Sequence, residues 1–391
     1  MRSLPLLGDE SPITWAGSLT QEVTPDGSVR PWRLPHGDAA LCAETCRALR
    51  QSPRRRKSGG ALLLTCVRVL CRYEGTHNGA AGLFNLAGMA AGVRITFLTT
   101  AEQLELTVCS RACGPDTKID LCIGNDLLES KNIGAVAFGG GTPEQQAQWA
   151  ATWSAPTTLT FSGLSRGQKR VELWLPHVGI CKIVSVAIPS TAQASRFVDT
   201  RPRWTTYGSS ISHCGEAYSP ARTWPATCAR LADLNLYCLG FGGNCNLDPM
   251  VARAIRDHPA DCINLKLGIN MMASHNKRTF IPSVIGFIAT IRDGQPTTPI
   301  VVTSPIFSTP RETKVAEVFQ TTPDDFQSNH AFTLSQFREA LADMVRVLRE
   351  RGDSNIHVRL AVIQPRAVPR LNGSIPRRAL RPACFGGVTG N

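Results

Sequence analysis

The chain is most informative first in what it lacks. Nowhere in its 391 residues is there an apolar run of the ~18 residues that a membrane helix requires. The best candidate, "GALLLTCVRVLC" from Gly60, is short and interrupted by Arg68. The N-terminal "MRSLPLLGDE" has neither the basic start nor the apolar stretch of a secretory leader, so a cytoplasmic location and no membrane partner are expected. Acidic residues are missing from two long stretches. Eight basic residues lie between Thr45 and Tyr73 and six arginines between Val358 and Asn391, with no acid in either. The formal charge of +12 is therefore confined to two patches, and the rest of the chain is close to neutral. The basic "RQSPRRRK" has no interleaved aromatic residues, which argues for a solvated loop and against a nucleic-acid partner. The 14 cysteines include no coherent ligand set. Cys42 and Cys46, or Cys109 and Cys113, are suitably spaced, but no matching second pair with a histidine lies near them. Most cysteines are expected to be reduced, buried small hydrophobes, with no metal and no cofactor.

What is present divides the chain in two. Residues 1–90 form a poorly defined region: "VRPWRLP" near Val29 looks strand-like, while Thr45–Gly82 has no steady period and much of it is expected to be poorly ordered. From Gly92 to about residue 195, short alternating segments ("VRITFLTT", "QLELTVCS", "KIDLCIGN", "IGAVAFGG", "TTLTFSG", "KRVELWLPHV", "CKIVSVAIP") are separated by turn residues, the pattern of an all-β sandwich. Over 200–357, apolar runs ("TTYGSS", "LNLYCLGFGG", "CINLKLGIN", "PIVVTSPIF", "NIHVRL") alternate with helical stretches at Thr223–Ala232, Asp248–Asp257, Phe280–Arg292 and Leu334–Arg351. Strands alternating with helices predict a parallel sheet in a three-layer α/β/α, flavodoxin-like domain. Residues 358–391 form a Pro- and Arg-rich tail of different character.

In such a sheet ligands sit at the carboxyl ends of the strands, and three motifs fall at successive strand ends. Gly208-Ser209-Ser210 follows the first strand, "GFGGNCN" (Gly240–Asn246) the second and "LGIN" (Leu267–Asn270) the third. Singly, each has an ordinary explanation: Ser210 as a helix cap, Gly242 and Gly243 as a tight turn, Asn270 as a loop support. Together they supply a nucleophile and three donors for the oxyanion of a tetrahedral intermediate.

The blocks "YGSSI…GFGGN…LKLGIN" resemble the SGNH (GDSL-like) hydrolase family, in the subgroup with an N-terminal β-sandwich, over roughly Gly92 to His357. The resemblance implies Ser210 as nucleophile. The oxyanion hole is then the N–H of Ser210, Gly243 (Gly242 being the second choice) and Asn270. Ser209 stands where the family usually has aspartate. The implied substrate is a small ester or other acylated molecule, processed through an acyl-serine.

The family's fourth block, an Asp-x-x-His after the last strand, occurs nowhere in this chain. The stretch after "NIHV" contains four prolines and six arginines but no acid and no histidine. The break is abrupt, as a shifted reading frame or an aberrant gene end produces. Sequencing the locus tests this: a downstream frame encoding Asp-x-x-His supports it, and the absence of such a frame sinks it. His213, three residues beyond Ser210, is the candidate for a substrate contact, while His258, His275 and His330 are expected to have no catalytic role. Three functions stay open: a serine esterase, an acyltransferase using the same serine, and an impaired member that keeps the pocket without the base. Oligomeric state is not legible.

Overall fold

A computed structural model describes residues 1–35, 80–114, 116–134, 152–316 and 331–361. The basic segment 36–79 with Cys42 and Cys46, most of "IGAVAFGG", His330 and the tail 362–391 lie outside the described residues. Two antiparallel sheets come first. One pairs β3 (Thr20–Val23), β4 (Val29–Trp32), β11 (Ile180–Ile188), β6 (Gln103–Arg111) and β9 (Thr157–Ser162), with β1 (Arg2–Leu4) also on β11. The other pairs β12 (Ala194–Ser195), β5 (Arg94–Thr99), β10 (Lys169–Trp174), β7 (Lys118–Ile123) and β8 (Asp126–Asn132), with β2 (Thr14–Ala16) also on β5. Their inner faces share one core that includes Phe97, Leu121 and Val171 from one sheet and Leu106, Phe161 and Ile183 from the other. The alternation read from Gly92 onward is thus that of two packed sheets.

In the N-terminal region the strand expected near Val29 is present as β4, and the rest departs from expectation. Residues 1–35 supply four strands to these sheets, and residues 80–87 form a helix, α1 (Ala80–Ala87). Strands of three or four residues are too short to show a period, and apart from β3, which pairs with the nearby β4, they are fixed by distant partners, such as Trp15 opposite Ile95 and Val29 opposite Ile183.

The second unit is a parallel sheet in the order β14 (Asn235–Gly240), β13 (Arg203–Gly208), β15 (Cys262–Lys266), β16 (Ile300–Thr303), β17 (Ile356–Arg359). On one face α4 (Pro249–Asp257), α5 (Lys277–Gly294) and α7 (Leu334–Glu350) bury Tyr207, Leu239, Leu265, Val302 and Ile356. On the other, α2 (Ser210–His213) and α3 (Trp224–Ala232) cover β13 and β14. A short α6 (Thr309–Glu312) follows β16. The mixed architecture is the one the sequence predicts, and the last strand extends two residues past His357. No helix among the described residues is long and apolar enough to cross a membrane.

The two units meet along β14, the edge strand beside β13. Its outward carbonyls would be unsatisfied there, and two buried arginines of the first unit take them. Arg94 Nη1 donates to Leu236 O at 3.1 Å, and Arg33 Nη1 to Cys238 O at 3.2 Å and Gly240 O at 2.9 Å. Arg94 is in turn held by Asn235 Oδ1 at 2.7 Å and faces the buried Glu172 at 3.6 Å. Tyr237 Oη donates back to Arg33 O at 2.5 Å. Gly92 packs so closely that a Cβ there would lie 2.6 Å from Cys238 Cβ. The first unit thus forms the rim of the second unit's sheet, next to the strand that leads to Ser210.

Candidate active site

Strand β13 ends at Gly208, where the chain turns onto the face of the sheet. The turn needs glycine twice. A Cβ on Gly208 would overlap Ser212 Oγ, and one on Gly240, its neighbour in register, would overlap the backbone of Ser212 and His213. With both absent, α2 lies flat against the strand ends. Ser209, not Ser210, caps this helix: it is buried, extended (φ −83°, ψ −159°), and its Oγ accepts from Ile211 N–H at 3.3 Å. Ser210 is therefore free of the capping task and exposed at the first helical position.

The loop after β14 closes against it. A Cβ on Gly242 would stand 3.6 Å from Ser210 Cβ, so Gly242 lies beside the serine. Gly243 turns the chain through φ +71°. Neither N–H has an acceptor among the described residues. Asn270, after β15, comes to the same loop: its Oδ1 accepts from Cys245 N–H at 3.2 Å. That bond fixes the amide so that Nδ2, which has no acceptor among the described residues, is the end left to donate. The loop is held from below as well, where Leu247 N–H donates to the buried Tyr207 Oη at 3.0 Å and Phe241 N–H to Gly208 O at 2.8 Å. Ser210, Gly242, Gly243 and Asn270 are thus gathered at three adjacent strand ends. The Asn270–Cys245 and Leu247–Tyr207 bonds were beyond sequence reasoning, since only their crowding with glycine and asparagine hinted at them.

The nearby thiols are no rival nucleophiles. Burial pushes the Cys245 thiol up to about 12 and that of Cys214 to about 11. Among the described residues no cluster of three metal-ligating side chains exists, and Cys109 and Cys113 are unpaired and buried.

His213 is not where a substrate contact would need it. Its ring is buried, and Nε2–H donates to His177 O, in the loop after β10, at 2.5 Å. Burial, then the charge of Arg33, lowers its pKa to about 3, so the ring is neutral and serves as a tie between α2 and the first unit. His275 belongs to the loop after Asn270. Ser274 Oγ lies 2.9 Å from both His275 Nδ1 and Asn246 Oδ1, and the ring meets Phe280 edge-on. His258 packs at a tilt against Tyr237, and His357 contacts Arg349 beside β17. None of the described histidines hydrogen-bonds Ser210.

Residues 203–361 match the model of the GDSL-like lipase/acylhydrolase family. Among solved structures, a salicylyl-acyltransferase from a tetracycline biosynthetic pathway is similar at 25% identity and a TM-score of 0.69, over 92% of this chain and 85% of that one. A family two carbohydrate esterase from Cellvibrio japonicus is similar at 13% identity and a TM-score of 0.50, over 90% and 87%. One from Clostridium thermocellum, in complex with cellohexaose, is similar at 13% and 0.51, over 71% and 84%. The last two likenesses concern the fold. The comparison with curated protein sequences found no match.

Proposed function

Because residues 203–361 belong to the GDSL-like lipase/acylhydrolase family, we propose that the chain acts on carboxylic esters through an acyl-serine at Ser210. Ser210 Oγ attacks the ester carbonyl, the C–O bond to the alcohol breaks, and water releases the acid. The oxyanion is received by the N–H groups of Ser210 and of Gly242 or Gly243 and by Asn270 Nδ2. The observation that carries this is the Cys245–Asn270 bond, which orients a side-chain donor in advance, as a transition-state site requires. No metal or organic cofactor enters these steps.

The proton of Ser210 has no acceptor among the described histidines, and the chain has no Asp-x-x-His. The expected activity is accordingly slow. An oxyanion hole and binding alone leave about 10³–10⁴ over water without any serine attack, and Ser210, losing its proton to water, is expected to add a small rate above that floor. Hydrolysis of a short p-nitrophenyl ester by the full chain, beside Ser210→Ala, tests this: a small serine-dependent rate is expected, and identical rates would remove the nucleophile from the account.

Acyl transfer to an alcohol is the second candidate, favoured by the likeness to the salicylyl-acyltransferase across both units. It uses the same acyl-serine with a different acceptor, and product analysis with an alcohol present separates the two.

A further inference from the structure

The face of the parallel sheet that carries α2 continues past Ser210 as a basic row. Beyond Gly208, the row across the sheet is Lys266, Thr303 and Arg359, these three in direct register. Lys266 belongs beside the serine turn, since a Cβ on Gly208 would lie 3.4 Å from Lys266 Cβ. Its Nζ stands 5.8 Å from the ring centre of Trp224, whose Nε1–H donates to Ile211 O of α2 at 2.7 Å. This side of β15–β17 is the less covered one. Asn264, Lys266, Val301, Thr303 and His357 are half-buried and Arg359 is exposed, whereas Ile263, Leu265, Ile300, Val302 and Ile356 on the other side are buried or nearly so.

The two cations are not neutralised. Neither Lys266 nor Arg359 has a carboxylate partner among the described residues. The groups around Lys266 are the Trp224 ring, the Cys214 thiol and Arg359, with His357 and Arg349 one step lower on the sheet. Burial acts first against the charge on Lys266, the Cys214 thiol acts for it, and Arg359 acts against it. A half-buried ammonium that has lost water and gained a like charge is stabilised by an anion from outside.

We propose that Lys266 and Arg359 form a subsite for a carboxylate on the substrate, so that the preferred ester carries an anionic group held to the β15–β17 side of Ser210. The guanidinium supplies a planar fork and the ammonium a point charge. The inference rests on the ester-processing role of Ser210 and narrows its substrate class.

The test measures binding, so that it stands apart from turnover. The full chain carrying Ser210→Ala is titrated with monomethyl succinate and with methyl butyrate, of similar length but different charge, by calorimetry or by the fluorescence of Trp224. The succinate ester is expected to bind at least about tenfold more tightly, and high salt shrinks the difference. Adding Lys266→Met and Arg359→Gln is expected to erase the preference, while Lys266→Arg retains most of it. If Lys266→Met does not fold, as judged by its melting curve, the exposed Arg359→Gln alone decides, with a several-fold loss expected. Equal binding of the two esters, or a preference unchanged by Arg359→Gln, overturns the subsite. If the preference holds while wild-type hydrolysis proves independent of Ser210, the subsite stands and the ester chemistry is what fails.

Discussion

The carboxyl ends of β13, β14 and β15 differ sharply from those of β16 and β17, although all five belong to one sheet. The first three end in a serine, an open glycine turn and an asparagine, each held by a neighbour: Phe241 N–H on Gly208 O, Leu247 N–H on Tyr207 Oη, Cys245 N–H on Asn270 Oδ1. The last two are tied to one another, with Ser304 donating its N–H to Arg359 O and accepting at Oγ from Ala361 N–H, while Leu267 N–H reaches Thr303 O at 3.1 Å from the end of β15 and Arg338 Nε reaches Pro305 O at 3.0 Å from α7. On the function proposed above, the difference means that the oxyanion half of the site is held without the base half. Its donors are oriented by backbone bonds within β13–β15 and by the β14 edge, which the first unit caps. Nothing in that chain of bonds passes through β17.

The largest expected effect tests the edge. Glu172→Ala removes the nearer of the two carboxylates beside the buried Arg94, leaving Asp199 at 3.9 Å, and also takes a partner from Arg201; it should cost up to about 3–5 kcal/mol in denaturant unfolding. Hydrogen exchange should rise in β13–β14 before β16–β17, and a uniform rise would break the contrast. Next, Asn270→Ala should slow acylation of Ser210 by about 10²–10³, with little change in melting temperature. An effect on stability alone would make Asn270 a loop support.

The tie between α2 and the first unit is sensitive to acid. His213 has a folded pKa of about 3 against an ordinary 6.5, so the unfolded chain binds the extra proton in between. Its stabilisation is complete above pH 6.5 and is lost as pH falls towards 3, amounting to about 2 kcal/mol by pH 5. His177, His258 and His275 are shifted the same way by burial. Denaturant midpoints at pH 7.5 and pH 5 should therefore differ, and His213→Asn should narrow the gap. The smallest effect separates the two glycines. Gly243→Ala should cost about 1–2 kcal/mol, since φ +71° is left-handed. Gly242→Ala meets Ser210 at ordinary contact distance and should spare stability while slowing acylation by crowding the serine.

Much of this was legible along the chain because β13 and β14 are buried on both sides and β15–β17 on one, so that the parallel strands read as short, largely apolar runs. The helices were legible from their period, but not their first turns. The helix read from Phe280 begins at Lys277, because Asn276 and Thr279 cap each other's backbone there. β8 escaped notice because it is polar along most of its length. At the site, residue types at strand ends pointed to Ser210 and Asn270. They did not reveal that Ser209 takes the cap, that Gly242 lies beside Ser210, or that His213 faces the first unit. Those depend on contacts such as Arg33 to Gly240, 207 residues apart, which carry no local pattern.

The central claim is that the oxyanion half works without the base half. Intact-mass spectrometry of the full chain mixed with p-nitrophenyl acetate, beside Ser210→Ala and Asn270→Ala, tests it most directly. The account predicts a slowly formed single acetyl adduct on Ser210, absent from Ser210→Ala and about 10²–10³ slower to form in Asn270→Ala. Equal adduct formation in all three proteins, or none in any of them, would contradict it.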